Sequence, residues 1–135
     1  MSNTPIVLHA DMGLQDTLGY VTYIHADRTE LHLDVNESHL NRAGFLHGGI
    51  FCVLLDSACG YAASRHLSKD ASQMVVTLSL TTNYLAPAGK GLVRAIGRVT
   101  GGGATTVFTE GHIVDRDDNI LVTCTALMRR VGKRL

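Results

Sequence analysis

The chain of 135 residues has little of several things. It has no tryptophan, only 5% aromatic residues, three cysteines and no net charge. Twelve basic residues balance twelve acidic ones, which argues against a nucleic-acid partner held by phosphate neutralisation. The basic end, RRVGKRL, reads as a solvated terminus. Cys52, Cys59 and Cys124 are odd in number, form no C-x-x-C pair and sit among apolar neighbours. They read as reduced, buried thiols of a cytoplasmic protein. No long hydrophobic run is present: Ile50–Leu55 is far shorter than the roughly 20 residues of a membrane-spanning helix. The start lacks the basic-then-apolar pattern of a signal peptide, so neither membrane insertion nor export is expected.

Cofactor signatures are missing as well. The seven histidines occur in no H-x-H or H-x-x-x-H spacing, so no zinc site is expected. GGGATT lacks the Lys-Ser/Thr of a phosphate loop, RAGFLHGG is not a dinucleotide fingerprint, and LDSACG is not a serine-hydrolase elbow. Neither a metal nor an organic cofactor is implied. With no repeat, low-complexity tract or linker, residues 1–135 read as one domain.

The hydrophobic pattern is informative. Residues 1–17 have weak periodicity and read as a short helix or an irregular arm. LGYVTYIH and TELHLDV form a predicted hairpin, with Leu31, Leu33 and Val35 on one face and a wet face of Glu30, His32 and Asp34. A loop leads to Gly48, where a helix runs to about His66. Between Ile50 and Ala63 only Asp56 and Ser57 are plainly hydrophilic, so burial on nearly all sides is expected. Strands follow around Val76–Thr81, in LVRAIGRVT, in TTVFTEGHIV and in ILVTCTALMRR, with a turn or bulge at the glycines 101–103. The short late connections exclude parallel crossovers. The fold class is α+β: a curved antiparallel sheet wrapped around one long helix.

Two features of that helix suggest chemistry. Its first turn, Gly-Gly-Ile-Phe, contains no acid to quench the free backbone N–H groups and positive dipole end. Gly48 and Gly49 let a ligand approach the backbone, and such a helix start can hold a phosphate or a developing oxyanion. The same glycines could equally serve only a tight turn. Asp56 is a carboxylate in an apolar run, costly to bury unpaired. It lies eight residues after Gly48, about 12 Å along a helix. One carbonyl group cannot meet both within one chain. Two helices antiparallel across a two-fold axis would place each Asp56 near the other chain's Gly48, making two equivalent sites in a homodimer.

N-x-x-G-x-L-H-G-G (Asn41, Gly44, Leu46, His47, Gly48, Gly49) followed by L-L-D (Leu54, Leu55, Asp56) resembles the hotdog-fold acyl-CoA thioesterases, most nearly the phenylacetate-pathway type of the hydroxybenzoyl-CoA thioesterase superfamily. VVTLSLTTNYLAPAGKG, with its Tyr-x-x-Pro-Ala, is also similar to that family's strand after the helix. The resemblance covers about Leu18 to Arg130. It implies a six-strand sheet around a central helix, dimers with interfacial sites, tetramers as pairs of dimers, and an acyl-CoA substrate. It further implies Asp56 as nucleophile or general base for water, the Gly48 N–H as polariser of the thioester carbonyl, His47 and Asn41 as orienting residues, and Thr77 as a positioner of water. Gly49 would lie against the substrate. Relatives carry basic residues near the coenzyme A nucleotide where this chain has TGGGAT, and Arg98 and the basic tail are the nearest substitutes. The acyl group, aryl or medium-chain, is left open. An enoyl-thioester hydratase or dehydratase and a non-catalytic acyl-CoA binder are the alternatives.

Overall fold

Alternation along the strands builds one antiparallel sheet of seven strands, wound about a single long helix. The computed structural model describes residues 4–9 and 13–132. The elements are β1 (Ile6–Leu8), α1 (Gly13–Leu18), β2 (Val21–Ile24), β3 (Thr29–Val35), α2 (Gly48–Leu67), β4 (Val75–Tyr84), β5 (Gly91–Gly102), β6 (Thr106–Val114) and β7 (Ile120–Arg130). The sheet order is β1-β2-β3-β5-β6-β7-β4, and every neighbouring pair is antiparallel.

The expected hairpin, helix and four late strands are all present. The first segment differs in detail: it forms both a short helix and a three-residue edge strand, β1. That strand makes the sheet one strand wider than the six the resemblance implies. Three residues are too few for alternation to register, and Ile6 and Val7 are exposed. The strand-like pattern from Leu18 also starts late, because α1 runs to Leu18 and Gly19 (φ +87°) turns the chain into β2. The wet face of β3 holds a surprise, since Glu30 is buried among His32, Arg28 and Arg94.

The core lies between α2 and the concave sheet face. Phe51, Leu54, Leu55, Ala58, Cys59, Ala62 and Ala63 point inward from the helix, against Leu31, Leu33, Val93, Ala95, Val107, Ile113, Val122 and Met128. Each large side chain buried in this way contributes about 1.5–3 kcal/mol. The helix backbone rests directly on the sheet where Gly97 and Gly111 pair across β5 and β6. A Cβ on Gly97 would lie 2.6 Å from the Ala58 carbonyl. A Cβ on Gly111 would press on the sulfurs of Cys124 and Cys59 at 3.1 and 3.3 Å, and both thiols are free and buried.

Burial on nearly all sides does not hold for α2 within one chain. The flank carrying Cys52, Val53, Asp56, Ser57, Gly60 and Tyr61 is only half-buried, because a single sheet covers one side of a helix. The strand that borders this flank, β4, pairs with β7 and ends the sheet. From Tyr84 the chain passes under β7, where Leu85 and Ala86 donate to the Leu121 carbonyl, and Leu46 donates to that of Ala88. The 85–90 link and the loop before α2 are thereby fastened together.

No described helix is long and apolar enough to cross a membrane.

Candidate active site

The candidate residues gather at two places along α2. The first is its start. The loop leading there is built on Asn41, whose Oδ1 accepts the amides of Ala43 (2.9 Å) and Phe45 (3.1 Å), while the Asn41 amide donates to the Phe45 carbonyl. Asn41 thus shapes the loop. His47 is the N-cap, with extended ψ of 132°, and its amide donates to the His39 carbonyl. The His47 Nδ1 accepts the Gly49 N–H at 2.9 Å, which places the proton of the neutral ring on Nε2. A histidine ring therefore does what Ser or Asp does at most helix starts.

Capping by His47 leaves an asymmetry between the two glycines. The Gly49 amide is spent on the His47 ring, so Gly49 presents no free donor to a substrate. The Gly48 amide has no acceptor among the described residues, and no acid lies in the first turn. On the carbonyl side of the same residue, the Tyr84 hydroxyl donates to the Gly48 oxygen at 2.7 Å. Beside this lies a cleft of about 370 Å³ bordered by Asn41, Phe45, Gly48, Phe51, Tyr84 and Leu85.

The second place is the middle of α2. Asp56 is half-buried, and the Thr77 hydroxyl donates to its Oδ1 at 2.6 Å. Thr77 faces the helix because it pairs with the inward-pointing Met128, and a bulge between Thr77 and Ser79 breaks the alternation immediately afterwards. The carboxylate opens into a cavity of about 550 Å³, mostly apolar, lined by Asp56, Gly60, Tyr61, Met74, Thr77 and Met128 among others. One Asp56 oxygen is held by Thr77, and no hydrogen bond from a described residue occupies the other.

The structure brings Asn41, His47, Gly48 and Gly49 together, and Asp56 with Thr77, but it does not bring the two groups together. Arg98 stands apart from both. It is exposed opposite Glu110, on the sheet face turned away from α2, since the neighbouring Gly97 abuts the helix. Sequence reasoning missed His47 as a cap and the Tyr84 contact. Tyr84 did lie within the Tyr-x-x-Pro-Ala stretch already singled out. A phenol is a donor at neutral pH in any case, and burial and the nearby Cys52 thiol raise the Tyr84 hydroxyl further. Among the described residues no group of three or more His, Cys, Asp or Glu side chains is placed to hold a metal ion.

Comparison with known proteins gives consistent relatives. Residues 43–122 match the family model of the thioesterase superfamily. The 1,4-dihydroxy-2-naphthoyl-CoA hydrolase of Listeria monocytogenes is 30% identical over 125 residues, covering 90% of this chain and all of that protein. A thioesterase family protein from Silicibacter pomeroyi superposes with a TM-score of 0.80 at 28% identity, over 90% of this chain and 91% of that one. The PaaI protein from the phenylacetic acid degradation operon of E. coli has the same fold, with a TM-score of 0.80 at 21% identity, over 90% of this chain and 86% of that one.

Proposed function

The chain belongs to the thioesterase superfamily and is a thioester hydrolase of the hotdog fold, and from that premise we propose that it cleaves acyl-CoA at a site shared by two subunits. The thioester carbonyl oxygen docks on the free Gly48 N–H of one subunit, where the helix dipole adds to the donor. Asp56 of the other subunit attacks the carbonyl carbon or takes a proton from the water that does. The tetrahedral intermediate collapses with loss of the coenzyme A thiolate. Where Asp56 acts as base, its carboxyl returns the abstracted proton to the sulfur. Where it attacks, the thiolate takes a proton from water, and a second water hydrolyses the acyl anhydride on Asp56 to free the acid and restore the carboxylate. Thr77 holds the carboxylate, while His47 and Asn41 hold the loop that aims the amide. The chemistry so written uses no metal or organic cofactor.

One observation carries this reading: a free amide at an acid-free helix start and a threonine-held carboxylate lie on the same helix, eight residues apart. For the two to serve one carbonyl across a separation of about 12 Å, the second must come from another chain. The surfaces needed for one are present. The half-buried flank of α2 adjoins β4, an edge strand with Val76 and Leu78 exposed by 37% and 53%, preceded by Met74 exposed by 42%. An unpaired apolar edge of this length is a template for pairing with another copy. Edge-to-edge pairing of two β4 strands lays the two α2 helices side by side. Residues 1–135 then act as one domain of a cytoplasmic homodimer, and two dimers assemble as a tetramer.

The mostly apolar cavity beside Asp56 has the size of an ordinary small-molecule site and takes the acyl group, aryl or medium-chain. The Listeria relative makes aryl-CoA thioesters the first substrates to test. The nucleotide end would reach basic residues such as Arg98 only from a neighbouring subunit.

The test is free-thiol release from a panel of aryl- and alkyl-CoA thioesters by the wild type and by Asp56→Ala. The expected result is turnover of at least one class, with kcat reduced about 100- to 10,000-fold in the variant. Full activity in a folded, dimeric Asp56→Ala protein would overturn the mechanism.

A further inference from the structure

We propose that Tyr84 is a positioning residue for the Gly48 amide, clamping the helix start so that the free N–H keeps one direction. The inference rests on the reading of Gly48 as the oxyanion donor and adds a residue to that site.

Two consecutive glycines are the least constrained way to begin a helix. A donor on such a start is preorganised only if something else fixes the peptide planes around it, and preorganisation is what makes an oxyanion donor effective. The His47 ring fixes the plane that carries the Gly49 amide from one side. The Tyr84 hydroxyl fixes the same plane from the other, donating to its Gly48 oxygen at 2.7 Å. The Gly48 N–H itself lies on the preceding peptide plane, whose His47 oxygen accepts the Ile50 N–H at 2.9 Å. With both planes tied, the Gly48 dihedrals between them are fixed and the free N–H keeps its direction.

The tyrosine is itself anchored. Its ring meets the buried Phe51 edge-on, with centroids 5.8 Å apart and planes at 80°, and its oxygen lies 3.1 Å from the Cys52 sulfur one turn into α2. The ring lies against Gly48, where a Cβ would meet the Tyr84 oxygen at an ordinary contact distance of 3.7 Å. Packing on Phe51 accounts for one edge of the ring, while Tyr84 is 51% exposed in the single chain and its hydroxyl reaches back to a backbone carbonyl. It closes β4, the strand whose Thr77 holds Asp56. One edge strand thus touches α2 at both half-sites, with a hydroxyl at each.

The test compares Tyr84→Phe with the wild type on the best acyl-CoA of the panel. It also measures the infrared carbonyl stretch of that thioester bound to Asp56→Asn, with and without Tyr84→Phe. Removing an oxyanion donor outright costs about 100- to 1,000-fold in kcat, so loosening one is expected to cost about tenfold, with KM within about twofold. The downward shift of the bound carbonyl stretch should shrink in the double variant. Unchanged kcat and an unchanged shift, even with a lowered melting temperature, would make Tyr84 merely structural and overturn the proposal. No downward shift at all in Asp56→Asn with Tyr84 intact would instead remove Gly48 as oxyanion donor, and the proposal with it.

Discussion

Thr77 and Asp56 are joined by a hydroxyl-to-carboxylate hydrogen bond of 2.6 Å across the seam between β4 and α2. The bond ties the middle of the buried helix to the strand at the sheet's edge, and it occupies one of the two carboxylate oxygens. Thr77→Val keeps the shape of the side chain and removes the donor. Hydrogen bonds to charged groups contribute about 1.5–3 kcal/mol, so kcat is expected to fall roughly tenfold or more. Thr77→Ser should restore most of it. Steady-state kinetics of the two variants decide the matter, and wild-type turnover by Thr77→Val would show that the bond does not hold Asp56 for reaction.

The buried Glu30 makes stability depend on pH in a defined direction. Burial alone would raise its carboxyl, but hydrogen bonds from His32 and Arg28, with the Arg28 charge, outweigh that and hold it at about 2 against an ordinary 4.5. A folded-state pKa below the unfolded one gives stability that is complete above the unfolded value and lost as pH falls toward the folded one. The wild type should therefore lose stability between pH 4.5 and about 2. Glu30→Gln should be weaker by about 2 kcal/mol at neutral pH and should lack this part of the slope. Thermal melts of both proteins from pH 6 downward, as at each step along a titration, make the comparison; parallel curves would show that the cluster contributes nothing.

The exposed edge of β4 predicts assembly. Leu78, at the bulge and 53% exposed, should tolerate lysine within a single folded chain. At a paired edge the added charge is repelled by its copy and must be desolvated. Leu78→Lys is expected to elute as a folded monomer with little or no thioesterase activity. A dimer of normal activity would move the interface elsewhere.

Several of these features could be read in the sequence and others could not, for physical reasons. Asp56 stood out because a carboxylate in an apolar run has a cost that demands a cause. β7 was legible to its ends, Ile120 and Arg130, since alternation from Val122 to Arg129 leaves little ambiguity. The place of β4 beyond β7 was not legible, because alternation reveals a strand's faces but not its neighbours. Glu30 was assigned to a wet face on alternation alone, and one of its partners, Arg94, comes from 64 residues away. The Tyr84 contact spans 36 residues and ends on a backbone carbonyl, a partner with no side-chain signature.

The shared site is tested most directly by mixing two disabled proteins. Asp56→Asn lacks the carboxylate. Gly48→Pro lacks the amide, and proline suits the first helical position, where the preceding His47 already has the extended ψ of 132° that proline requires. Each homodimer should be nearly inactive. After unfolding, mixing in equal amounts and refolding, a mixed dimer would pair the intact Asp56 of one chain with the intact Gly48 of the other. Random pairing should then restore about a quarter of wild-type activity, from one good site in half of the dimers. Activity no higher than that of the separate variants, with mixed dimers demonstrably formed, would contradict a site shared between subunits.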